Sequence, residues 1–136
     1  MDKVQKTDAE WQAELAPDVY RITRQGGTEP PFSGQYHEWA ADGQYYCACC
    51  GSLLFDSQHK FFSHCGWPAF SAEAESEATR RLLDTSHGMV RDEVRCNRCD
   101  AHLGHVFSDG PLPTGERYCI NSLAMRFSEV GQEDKA

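Results

Sequence analysis

Two Cys-x-x-Cys pairs, Cys47/Cys50 and Cys96/Cys99, constrain this chain more than any other feature. Thiols two residues apart converge on one point, and two such pairs supply the four thiolates of a structural zinc site. Residues 51–95 lie between the pairs, more than a compact zinc finger holds, so one metal ion would tie together distant parts of the fold. Gly51 follows the first pair and permits the left-handed turn such a knuckle needs; Asp100 follows the second. Cys49 is an extra thiol that could swap for a neighbour, but only 47/50 repeats the spacing of 96/99. Four thiolates leave no open coordination position, so the expected zinc is structural. A zinc deaminase would need His-x-Glu ahead of its Cys-x-x-Cys, and His37-Glu38 does not supply it.

Seven cysteines are present, so three remain. The first fifteen residues are polar and charged without an apolar run, which predicts no leader, no membrane span and a cytoplasmic location. In that setting seven cysteines read as metal and redox chemistry rather than a disulfide framework. A formal net charge of −8 offers no basic footprint for nucleic acid or an anionic membrane.

With 136 residues the chain is expected to form one domain over 1–136. Its helical lead spans 7–25, its core about 18–128, and a polar tail 129–136. Thr7-Asp8-Ala9-Glu10 has the form of a capping box opening a helix through about Ala16. Pro17 starts a second helix that ends near Gly26-Gly27. Beyond Pro30-Pro31 the chain reads as short strands between glycine and proline punctuation: Gly43–Cys47, Leu53–Phe55, Arg80–Leu83, Met89–Val94, Leu103–Phe107, Tyr118–Asn121 and Ala124–Phe127. Ser71 to Arg80 can begin with a helical turn, given Ala72, Glu73, Ala74 and Glu75. With no βαβ rhythm, the expected fold is mainly antiparallel β with short N-terminal helices and a zinc staple.

Cys119 lies in Arg117-Tyr118-Cys119-Ile120-Asn121. On a strand, alternation puts Arg117, Cys119 and Asn121 on one face and Tyr118 and Ile120 on the apolar other. Arginine favours the thiolate, and asparagine can orient a bound polar group. In Ala101-His102-Leu103-Gly104-His105, histidines three apart would point to opposite sides, but Gly104 invites a bulge that returns them to one side. Asp109 is placed to fix the tautomer of one imidazole. In Cys65-Gly66-Trp67-Pro68 the Gly and Pro set a turn, and Trp67 offers a flat surface to a methyl or thioether group.

With these motifs, and with Gly27-Thr28-Glu29-Pro30-Pro31-Phe32-Ser33-Gly34 and Asp109-Gly110-Pro111, the chain closely resembles the B-class methionine sulfoxide reductases, zinc-containing subgroup. Matching segments run from Tyr20 to about Phe127. The resemblance implies thiol-dependent reduction of methionine-R-sulfoxide, preferentially in proteins and peptides, by a monomer with a barrel-like or tent-like β core. It implies Cys119 as nucleophile, Cys65 at the position of the resolving cysteine, and thioredoxin as reductant. His102, His105, Asp109, Arg117 and Asn121 match the polar active-site set, and Trp67 matches the residue that receives the substrate methyl. Cys47, Cys50, Cys96 and Cys99 match the zinc ligands. His64 stands where glycine is common and Ala69 where serine is usual, and both flank the Cys65 turn. Cys49 or an external thiol is the alternative resolving group. The rival reading is a zinc-stapled binding module with Trp67 in an aromatic cage, which would need no titrating cysteine.

Overall fold

Among the described residues the α-helices are confined to the N-terminus, and the strands after residue 42 join two antiparallel sheets. A computed structural model describes residues 4–37, 39–63 and 65–129; His64 and the expected tail beyond Glu129 lie outside the described residues. Helix α1 spans Asp8–Glu14 and opens on the expected capping box, in which Glu10 N–H donates to Thr7 Oγ1 and Thr7 N–H to Glu10 Oε1. Helix α2 spans Pro17–Gln25 and closes on Gly26 at φ 69°, a left-handed cap suited to glycine. It buries Tyr20, Ile22 and Thr23, and Arg24 donates to the Cys99 carbonyl at 2.9 Å, tying the helical lead to the second knuckle.

The first sheet orders its strands β2(Leu53–Asp56), β1(Gly43–Cys47), β9(Met125–Glu129). The second runs β3(Lys60–Phe61), β4(Ala69–Phe70), β8(Arg117–Ile120), β7(His102–Phe107), β6(Arg91–Cys96), β5(Thr79–Asp84). An aromatic core joins them: Phe55 of the first sheet stacks on Phe70 of the second at 4.4 Å, with Tyr45 and Tyr118 edge-on to this pair. Tyr45, Phe55, Phe70 and Ile120 are wholly buried, and each such side chain contributes about 2–3 kcal/mol of transfer free energy.

Strands β3 and β4 are two residues each, too short for alternation to announce them. β4 pairs Ala69 with Cys119 and Phe70 with Tyr118, which lays the Cys65–Pro68 turn over the middle of β8. The helical turn expected after Ser71 does not form; residues 71–78 are turns and bends. Ala74 N–H is drawn to the Leu54 carbonyl, the Glu73 carboxylate accepts from the Thr79 amide and hydroxyl, and Glu77 adopts φ 65°. These longer-range bonds outcompete the weak local helical preference.

Candidate active site

Alternation along β8 operates as the sequence requires. Tyr118 and Ile120 enter the core, while Arg117, Cys119 and Asn121 line a cavity of about 270 Å³ on the other face. Trp67, His105, Gly104 and Phe107 line it too, as do Thr28 and Arg91. The Pro68 carbonyl accepts from Ile120 N–H at 3.0 Å, so the turn that carries Cys65 is pinned directly to the strand that carries Cys119. Their sulfurs stand 3.0 Å apart.

These two thiols share a proton and titrate as one unit. The hydrogen bond from Cys119 pushes Cys65 down to about 5, with Ser63, Trp67 and the Arg117 charge helping against burial. That same bond, with burial, holds the second proton well above the usual thiol range. Local partners decide where the single charge rests. Cys65 Sγ has the Trp67 carbonyl as an acceptor at 3.2 Å, whereas Cys119 Sγ accepts from Arg117 Nη1 at 2.7 Å. A carbonyl retains a proton on its neighbour and a guanidinium expels one, so the shared proton can pass from Cys119 to Cys65, and Arg117 stabilises the thiolate that this leaves on Cys119.

Arg117 is itself held. Asp109 accepts from its Nε at 2.8 Å and its Nη2 at 3.1 Å, and the Phe107 ring lies 4.5 Å beneath the guanidinium carbon. Asp109 therefore orients the arginine, not an imidazole as the sequence led us to expect. Two other carboxylates hold the histidines. His105 Nε2 meets Asp84 Oδ2 at 2.8 Å, and His102 Nδ1 meets Glu93 Oε2 at 2.6 Å. Burial lowers the His102 pKa, with the Glu93 contact opposing, so this ring is neutral at neutral pH. Hydrogen bonds from Ser86 and His105 keep Asp84 well below the usual carboxylate range.

The expected bulge brings the two rings together. Val94 of β6 pairs with Gly104 and the adjacent Arg95 with His102, which leaves Leu103 as the extra residue of β7. The imidazoles end 5.6 Å apart, edge to face. A Cβ on Gly104 would come within 2.0 Å of the Cys119 carbonyl oxygen, so glycine is what lets β7 lie this close to β8. His105 lines the cavity with Cys119; His102 stands behind it, in an adjoining hollow of about 230 Å³ that also contains Asp84 and Glu93.

Away from this cavity, the sulfurs of Cys47, Cys50, Cys96 and Cys99 all lie within 4.8 Å of one another. Cys47–Cys99 and Cys50–Cys96 are each 3.6 Å apart. A zinc tetrathiolate with bonds of about 2.3 Å has edges of about 3.8 Å, so the set fits the ion. The knuckles match in detail: Gly51 N–H donates to the Cys47 carbonyl and Asp100 N–H to that of Cys96, each at 2.9 Å, with left-handed φ at both donors. Cys49 stays outside the four; its amide donates to Cys47 Sγ.

Comparison with known proteins decides the family. The SelR domain matches residues 15–129. A peptide methionine sulfoxide reductase MsrB of Hahella chejuensis is 51% identical over 139 residues, covering 99% of this chain and 100% of that protein. MsrB of Pseudomonas putida strain F1 is 57% identical over 125 residues, 92% of this chain and 95% of its own. The chain belongs to the B-class methionine sulfoxide reductases. Among solved structures, the Yippee-like domain of Mis18 is similar in fold, with a TM-score of 0.53 and 20% identity over 67% of this chain and 99% of that one.

As a B-class peptide methionine sulfoxide reductase the chain acts on oxidised protein methionine and draws electrons from a thiol reductant. Of the residues expected around Cys119, Trp67, His105, Arg117 and Asn121 line its cavity, Cys65 meets its sulfur, Asp109 reaches it only through Arg117, and His102 stands one layer back. Asp84, Glu93 and Arg91 were missed. The β6 sequence carried a signal for two of them: Arg91, Glu93 and Arg95 alternate with buried Val94 and Cys96, a charged face beside the histidine strand.

Proposed function

We propose that this enzyme reduces the R epimer of protein-bound methionine sulfoxide through a Cys119 sulfenic acid that Cys65 resolves. The observation that carries the reading is the 3.0 Å approach of the two sulfurs at an arginine-flanked cavity. The substrate sulfur is a stereocentre, and enzymes of this chemistry act on one epimer each. The sulfoxide methyl rests on Trp67, and the Cys119 thiolate attacks the sulfur. Its oxygen, a weak leaving group, takes a proton from His105, whose Nε2 is fixed by Asp84. The S–O bond breaks as the hydroxyl passes to the Cys119 sulfur, the bond between the two sulfurs breaks with its electron pair going to the departing methionine, and Cys119 is left as a sulfenic acid. Cys65 then attacks Cys119 sulfur, water leaves and a disulfide forms; a thioredoxin dithiol reduces it and becomes oxidised in turn.

Zinc, held by Cys47, Cys50, Cys96 and Cys99, supplies a cross-link and no chemistry, since its four positions are filled by protein. The enzyme works as a monomer in the cytoplasm, a compartment in which seven free thiols remain reduced. No helix among the described residues is long and apolar enough to cross a membrane.

The test offers separate R and S epimers of a peptide methionine sulfoxide to the zinc-loaded protein with thioredoxin and its reductase. Consumption of the R form alone is expected. If neither epimer disappears even with dithiothreitol, the reductase reading fails for these residues and the aromatic-cage binding module replaces it.

A further inference from the structure

Glu29 is 1% exposed, and its carboxylate takes no part in the chemistry above. Its Oε1 accepts from Leu123 N–H at 3.0 Å, while Oε2 is buried with no partner among the described residues. A carboxylate kept in such a place is costly, and a residue needed only for packing would be apolar.

Its backbone touches two parts of the active site at once. The Glu29 N–H donates to Asn121 Oδ1 at 3.0 Å, and the Glu29 carbonyl accepts from Trp67 Nε1–H at 3.0 Å. The first bond sets which end of the Asn121 amide faces which way. With Oδ1 so occupied, Nδ2 donates one hydrogen to the Leu103 carbonyl at 2.9 Å. A primary amide has two such hydrogens, and the second belongs to a side chain that lines the Cys119 cavity. The second bond fixes the plane of the Trp67 indole. A single residue therefore orients a hydrogen-bond donor and an apolar wall of the cavity that holds Cys119.

The carboxylate anchors that residue. Leu123 lies two residues beyond Asn121, in the 3-10 turn Ser122–Ala124 that follows β8, so side chain and backbone of Glu29 grip the same strand end. Gly34 leaves the room for it: a Cβ there would stand 2.3 Å from Glu29 Oε2 and 2.2 Å from Ser122 Oγ.

We propose that Glu29 is a positioning residue for sulfoxide reduction, its carboxylate holding the 28–32 segment so that its backbone sets Asn121 and Trp67 around the substrate. This rests on the reading of the cavity as the reductase site. Glu29→Ala removes the anchor but leaves Arg117, Cys65 and the zinc ligands untouched. Expected is a loss of tens of fold in kcat/KM for peptide methionine-R-sulfoxide, with KM raised as Trp67 drifts and kcat lowered as Asn121 turns. Glu29→Gln keeps an oxygen for Leu123 N–H and should stay within about threefold of the natural enzyme. Alkylation of Cys119 at neutral pH and the zinc content should be unchanged in both.

Gly34→Ala supplies a second route if Glu29→Ala does not fold, since its methyl meets the Glu29 carboxylate and Ser122 beside Asn121 and should give the same rise in KM and fall in kcat. The proposal is overturned by normal kcat and KM in the variants, by Glu29→Gln as impaired as Glu29→Ala, or by parallel loss of turnover, thiol reactivity and zinc. An inactive natural enzyme would instead overturn the reductase reading itself.

Discussion

At the scale of single residues, the site depends on where one proton sits. Arg117 reaches Cys119 directly, and the hydrogen bond between the two thiols lowers their first ionisation to about 5 at Cys65. The anion exists above that value and is lost as pH falls through it. Alkylation by iodoacetamide should therefore be nearly flat from pH 8 to pH 6 and fall below about pH 5. Arg117→Met removes the cation, so the midpoint should move upward and the rate at pH 7 should drop by about tenfold or more. An unshifted profile in that variant would remove Arg117 from the thiolate's stabilisation. Asp109, whose side chain is 67% exposed, acts through the arginine, and its replacement by Asn should have a smaller effect of the same sign.

At the scale of elements, the site is built by strand β7 bending toward β8. The bulge could be read from the sequence because a glycine between two polar residues of one kind is a local signal. The approach of Cys65 to Cys119 could not, because it depends on β4, two residues whose extended form is fixed by Phe70 packing on Phe55 across the sheets. Asp109 was assigned to a histidine because sequence proximity favoured it. Asp84 and Glu93 win those contacts because register, not sequence distance, sets neighbours across β5, β6 and β7. The capping box and the left-handed glycine after Cys50 were legible for the opposite reason, since each is complete within four or five residues. Gly104→Ala tests the close approach. Its methyl meets backbone, which cannot rotate away, so a loss of about 3 kcal/mol in unfolding free energy is expected, with activity falling as Cys119 shifts. A denaturation midpoint equal to that of the natural protein would show that β7 and β8 are not so tightly joined.

At the scale of the whole molecule, the four-thiol cluster connects what the aromatic core only presses together. Cys47 ends β1 in the first sheet and Cys96 ends β6 in the second, so an ion bound there bridges the sheets covalently at one margin. None of its four cysteines lines the Cys119 cavity. Stability and chemistry should therefore separate when the metal is removed. Without the ion, the buried Cys47, Cys96 and Cys99 lose the partner that compensates their thiolates, and the sheets lose their link. Chelation should release one zinc per chain and lower the thermal midpoint by more than about 10 °C, a shift worth a few kcal/mol in a chain of this size. Measured at a temperature where the metal-free protein is still folded by near-ultraviolet circular dichroism, single-turnover reduction by the Cys119/Cys65 pair should remain within a few fold of the loaded enzyme. Loss of that single turnover from folded, metal-free protein would mean that the cluster sets the geometry of β8 as well as holding the sheets.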